Sequence, residues 1–168
     1  MYKDKNFYLN LFQVSETQLE RLAADGLRGG GSYCDLFFEN TSYNDLLLRD
    51  GIVSSGGFHI DYGVGIRVLK GDKTGYAYSE STDPRSMAEA ALAASKIAER
   101  EGGAVEAVHC KTVTAPKDRY SYESDWRSSD ATRLVPWLEM LETKIAARDS
   151  RIVKIIVSFS GQVSDILM

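Results

Sequence analysis

A chain of 168 residues with 43 % hydrophobic and 26 % charged side chains has the length and balance of one ordinary globular domain, able to bury a core without disulfides or a structural metal. Its 20 basic and 24 acidic side chains leave a net charge of -4, so it lacks the cationic surface that neutralises phosphates, and no direct nucleic-acid partner is expected. No apolar run reaches the roughly 18 to 20 residues needed to span a bilayer, and MYKDKNFYLNLFQVSE has no signal-peptide core, so the chain is expected to be cytoplasmic with no membrane partner.

After a short leader, Ser15-Glu16-Thr17-Gln18 has the form of a capping box and predicts a helix over 15–28. Leu19, Leu22, Ala23 and Leu27 follow at spacings of three and four, giving it one apolar stripe. Gly29-Gly30-Gly31 ends it. The run lacks the Lys-Ser/Thr of a phosphate-binding loop and precedes a strand instead of a helix, so it reads as a linker.

Residues 33–80 predict an antiparallel meander of about five strands. Leu36, Phe37 and Phe38 are contiguous, as in a strand covered on both faces. Asn40-Thr41-Ser42 predicts a turn, then Tyr43 to Arg49 a second strand. Asp50-Gly51 is the strongest hairpin signal, because a type I′ turn needs positive φ at both central residues. The third strand, Ile52 to Asp61, is more polar and contains Gly56-Gly57, a mark of a bulge or of close backbone approach. In the fourth, Val64, Ile66 and Val68 alternate with Gly65, Arg67 and Leu69, so one face is aliphatic and buried. After a loop at Gly71–Gly75, Tyr76 to Ser79 closes the meander.

Asp83-Pro84 and the alanine-rich run behind it predict a helix over 84–101, with Asp83 as cap, Pro84 in the first turn and Gly102-Gly103 as the stop. From Ala104 to Ser129 the pattern weakens into an irregular, partly extended arm carrying Tyr120, Tyr122 and Trp126. A further helix is predicted over 136–148, with Pro136 in its first turn, and a last strand over 152–159. The expected fold is therefore a single α+β domain over 1–168, its meander and C-terminal strand covered by three helices. The apolar ending Ile166-Leu167-Met168 reads as that of a cut chain.

No catalytic, cofactor-binding or metal-binding residues are assigned from this sequence. His59 and Asp61 share a strand face but are two ligands where zinc needs three or four, and His109 and Cys110 alternate to opposite faces if extended. Asp35 with Glu39 and Asp45 with Asp50 are carboxylate pairs of the kind that 24 acids produce by chance, and they read as solvated surface. Cys34 and Cys110 read as plain buried thiols, the late aromatics as core or interface, and no Gly-x-Ser-x-Gly elbow occurs.

Four pieces in order carry a family likeness: the DLFFE strand at Asp35, the DG turn at Asp50-Gly51, the GVGIRV strand from Gly63 to Val68 and GYAY from Gly75 to Tyr78. In these the sequence resembles the N-terminal domain of the TldD/PmbA family, over about residues 15 to 160. Ala146 to Ile152 looks like the family's helix-to-strand step, with Ser150 where a proline is usual. The resemblance implies a zinc-dependent peptidase acting on flexible or unfolded peptides, some of whose members bear the name of gyrase modulators. It places the zinc motif, His-Glu-x-x-x-His with a distant Cys, in a C-terminal part. This chain has no His-Glu pair, so no catalytic residue carries over, and the catalytic domain is expected to be absent from it.

Two readings follow. In one, the domain is the non-catalytic front of a peptidase and helps to enclose its site, or receives an extended peptide as an added strand at a free edge, with Gly56 and Gly57 allowing close approach. In the other it is an interaction module that pairs with a related or identical subunit.

Overall fold

The computed structural model describes residues 3–98, 127 and 131–168. The described elements run α1 (Lys5–Phe12), α2 (Glu16–Leu27), β1 (Tyr33–Arg49), β2 (Ile52–Lys70), β3 (Lys73–Ser79), α3 (Pro84–Ala98), α4 (Ala131–Ala146) and β4 (Ile156–Leu167). The strands form one antiparallel sheet in the order β3-β2-β1-β4, so the α+β class is as expected, with four strands where about five and a C-terminal one were predicted. The arm from Ala104, with Tyr120, Tyr122 and Trp126, and the end of the helix predicted over 84–101 lie outside the described residues.

The difference in strand number comes from two long strands. Asn40-Thr41-Ser42 is not a turn: β1 runs through it, with Thr41 and Ser42 buried. A polar triplet reads as a turn because its side chains compete for backbone partners. Here the Thr41 hydroxyl instead donates sideways to Ser164 Oγ of β4, at 3.0 Å. Likewise β2 does not break between Asp61 and Gly63. Gly63 stays in the strand at φ 152, where a Cβ would stand 2.2 Å from the Ser79 carbonyl oxygen, so only glycine admits the end of β3 this close.

The described residues form two compact units, divided between Asn40 and Thr41 in β1, Asp61 and Tyr62 in β2, and Ser164 and Asp165 in β4. In the first, Val64, Ile66 and Val68 of β2 face inward as the alternation predicts, onto Phe12, Leu22, Phe38, Met87, Ala91 and Ala94. The capping box closes α2 as predicted: the Gln18 N–H donates to Ser15 Oγ at 3.3 Å and the Ser15 N–H to Gln18 Oε1 at 2.8 Å. Asp83 caps α3, its carboxylate accepting the N–H groups of Arg85 and Ser86, each at 3.0 Å. The Ser86 hydroxyl above all, with the Ser86 N–H and the Ser81 hydroxyl, holds the Asp83 carboxyl well below the usual carboxylate range.

The leader is not unstructured. It forms α1, capped by Asp4, whose carboxylate accepts the Phe7 N–H at 2.8 Å, and closed by Gln13 in the left-handed conformation. Its last residue, Phe12, is fully buried and meets Phe38 and Tyr62 at ring-centroid distances of 5.3 and 5.7 Å. The triple glycine is more than a linker. The Gly29 N–H donates to Ser95 Oγ of α3 at 2.8 Å, and a Cβ on Gly29 would crowd that same oxygen.

In the second unit α4 starts at Ala131, five residues before the predicted 136, so Pro136 lies inside the helix. A proline there removes the bond to the carbonyl of residue 132. Packing of Leu134 and Val135 against Leu46, Leu48 and Leu138 holds the preceding turn in place nonetheless. β4 begins and ends later than the predicted 152–159, and in its extension Ser160 and Ser164 meet carboxylate and hydroxyl partners on β1.

Ile66→Ala is expected to cost about 2–5 kcal/mol, measured as a lower urea midpoint with unchanged slope. Val153→Ala, at a site 92 % exposed, should stay within about 0.5 kcal/mol of the parent.

Candidate interaction edge

β3 covers only the far half of β2, pairing from Val64 opposite Ser79 to Lys70 opposite Lys73. β1 lies on the other side of β2. The outer edge of Ile52–Asp61 therefore has no strand beside it among the described residues, and every side chain along it is exposed. The exposure includes large apolar groups: Ile52 is 70 % exposed, Val53 44 %, Phe58 60 % and Ile60 51 %. Edges that must stay single are ordinarily blunted by lysine, proline or an inward charge. This one has no lysine or proline, and its one formal charge, Asp61, sits at its end.

The edge is held rigidly from behind. Asp50 and Gly51 have φ of 48° and 78°, the positive pair that a type I′ turn requires, as the Asp-Gly sequence predicts. Asp50 then fixes β4 as well: its N–H donates to the Ile155 carbonyl at 3.2 Å, and its carboxylate accepts the Ile155 N–H at 3.1 Å. Further along, Ser160 Oγ donates to Asp45 Oδ1 at 2.6 Å. A Cβ built on Gly56 would lie 3.3 Å from Leu46 Cδ1, and Leu46 packs with Leu138 of α4. By strand alternation from Gly56, Phe58 and Ile60 share this helix-side face. On the opposite face His59 stacks on Tyr43, with ring centroids 4.3 Å apart and planes 8° from parallel.

The residues weighed for chemistry are not drawn into a site. Asp35 forms a two-point ion pair with Arg67, one contact at 3.1 Å, and does not act with Glu39. Asp45 and Asp50 bind β4 at separate points. His109 and Cys110 lie outside the described residues. Among the described residues no three His, Cys, Asp or Glu side chains converge, so the donors present do not make a zinc site. An open cavity of about 450 Å³ lies beside the start of α3, lined in part by Gln13, Tyr62, Thr82 and Asp83. There the Tyr62 and Thr82 hydroxyls bond each other at 2.8 Å. Cys34 is half-buried, and burial together with the Asp35 carboxylate pushes its thiol up to about 11, away from nucleophilic use.

Comparison with known proteins places this frame. The family described as PmbA/TldA metallopeptidase domain 1 matches residues 34–98, the stretch from β1 through α3. Residues 34–98 are thus similar to the first domain of the TldD/PmbA family. A metalloprotease TldD homolog of Haemophilus influenzae is 31 % identical over 136 residues, which is 81 % of this chain and 28 % of that protein. A TldD homolog of Buchnera aphidicola is 25 % identical over 141 residues, with the same coverage of 81 % and 28 %. The chain thus spans little more than a quarter of the TldD homologs it matches. A candidate modulator of DNA gyrase from Bacteroides thetaiotaomicron shares the fold over 99 % of this chain and 40 % of its own, at a TM-score of 0.65 and 12 % identity. TldE from Thermococcus kodakarensis does so over 89 % and 34 %, at a TM-score of 0.55 and 17 % identity.

No described helix of the chain is long and apolar enough to cross a membrane. The residues that make the edge, Phe58 and Ile60 above all, lie in a strand that reads in the sequence as more polar than its neighbours. What the sequence lacked was the point where β3 stops.

Asp50→Ala should destabilise the chain by about 1–2 kcal/mol through left-handed strain, and the Ile155 amide should lose hydrogen-exchange protection. Asp50→Asn, which tolerates the same φ, should retain most of both. Because the Cys34 thiol is raised from its ordinary 9.0 to about 11, its neutral form contributes stability below pH 9 that is lost as pH rises through 11. Thermal melts of the parent should fall more steeply across that window than those of Cys34→Ala.

Proposed function

We propose that this chain is the N-terminal, non-catalytic portion of a TldD/PmbA-type zinc-dependent peptidase that works on extended peptide chains in the cytoplasm. It helps to enclose a site supplied by a C-terminal part, and it works beside a related or identical subunit. The match of residues 34–98 to the first domain of that metallopeptidase family carries this reading. It is supported by the coverage of only 28 % of the Haemophilus TldD homolog, which leaves the greater part of such a protein for the chemistry. The strand edge left open among the described residues supports the structural role, because backbone N–H and C=O groups along such an edge accept another extended chain whatever its side chains.

Metal analysis of the product of the longer gene, beside the 168-residue chain, tests the proposal. Zinc bound by the long form and cleavage of an unfolded peptide by it alone are the expected results. A reading frame that stops at Met168, or a long form without zinc, overturns it.

A further inference from the structure

We infer that the outward stripe of α4, made by Arg133, Trp137, Met140, Leu141, Lys144 and Arg148, docks an acidic amphipathic helix of a protein partner. The inference stands on α4 alone and does not rest on the peptidase reading.

α4 carries two apolar faces where one suffices to hold it in place. Leu138 joins Leu46 and Leu48 of β1 in the buried cluster, with Leu134 and Val135 packed against it. At about 100° per residue, the six residues named above fall on a second stripe centred near Trp137. This stripe stands in solvent: Trp137 is 69 % exposed, Met140 44 % and Leu141 43 %, and the three cations are exposed as well. Arg148 follows the last helical residue, and its N–H donates to the Ile145 carbonyl at 3.0 Å, which keeps it in line with the stripe. The charge here is of one sign. Glu139 and Glu142, the acids of α4, project roughly 140 to 160° away from Trp137.

Interface cores are rich in aromatic residues, Met and Arg, and the side chains that carry most binding energy are Trp, Tyr and Arg. The dipole of α4 accounts for Lys144 and Arg148 near its C-terminal end, but not for Trp137, Met140 and Leu141 left in water beside them. Trp137, Met140, Leu141 and Lys144 stand at i, i+3, i+4 and i+7, the spacing by which one helix reads another. With a cation at either end of this row and no acid in it, the complementary helix carries Asp or Glu beside its apolar residues. A second α4 does not qualify. Laid antiparallel it sets Arg133 against Arg148 at both ends, and laid parallel it sets each cation against its own copy. An anionic bilayer fits less well, because helices that lie in lipid keep their cations on the face away from the apolar one, whereas Lys144 stands within about 20° of Trp137. The chain as a whole is also negative, with a net charge of -4.

The probe is a fluorescein-labelled peptide of about 18 residues, long enough to hold a helix, with Leu at i, i+3, i+4 and i+7 and Glu at the flanking positions. Its anisotropy should rise saturably with the 168-residue chain, and binding should weaken as salt is raised from about 0.1 to 1 M. A scrambled peptide of the same composition should not bind. Trp137→Ala should weaken binding at least about tenfold with the thermal melt retained, because the site is 69 % exposed. The double variant Lys144→Glu, Arg148→Glu should lose the Glu peptide and gain one in which Lys replaces Glu. That exchange reads the contact even if Trp137→Ala fails to fold. No binding of the Glu peptide, equal binding of the scrambled one, or a charge-reversed chain that still prefers Glu overturns the inference. Binding to phosphatidylserine vesicles in place of the peptide assigns the stripe to lipid and overturns it. Peptide binding by the 168-residue chain that the product of the longer gene lacks assigns the stripe to a contact within that longer protein and also overturns it.

Discussion

The turn at Asp50-Gly51 is the constraint on which most of the structure depends. Two residues with positive φ join strands of 17 and 19 residues, and one carboxylate at that turn also sets where β4 enters the sheet. Val64, Ile66 and Val68 of β2 are buried in one core and Leu46 and Leu48 of β1 in the other, although a compact-unit boundary lies between them along each strand.

The two units solve the packing problem differently. The first has an aromatic and aliphatic core roofed by helices, with Phe12, Phe38 and Ile66 fully or almost fully buried. In the second, one helix covers a small leucine cluster, and much of the cohesion between β1 and β4 comes from lateral polar contacts, Thr41 with Ser164, Asp45 with Ser160 and Asp50 with Ile155. A single helix cannot cover three strands. Leu46 and Leu48 are buried under α4, while Phe58 and Ile60 on the adjoining strand stay in solvent. The interaction edge is the part of the sheet that α4 does not reach and β3 does not extend to.

This arrangement accounts for a domain with a catalytic family's likeness and no catalytic constellation of its own among the described residues. Its carboxylates are engaged in structure: Asp35 with Arg67, Asp83 at a helix cap, and Asp165, buried, with Lys3. Its described cysteine is held as a neutral thiol.

The local features were legible in the sequence because each has a short-range cause. The Ser15–Gln18 box, the Asp83-Pro84 helix start, the Asp50-Gly51 turn and the inward face of Val64, Ile66 and Val68 all follow from neighbouring residues. Features whose cause lies far away in the chain were not. Thr41 and Ser42 look like a turn until Ser164 supplies a partner. The short leader carries no assigned element until Phe12 is seen to meet Phe38 and Tyr62. Pro136 looks like a helix start until Leu134 and Val135 have leucines to pack against. Ile52–Asp61 illustrates the divide most plainly: its composition marked it as a strand with room for close approach. That it lies at an open edge was decided by where β3 ends, a property of strand pairing between distant residues that no local pattern encodes.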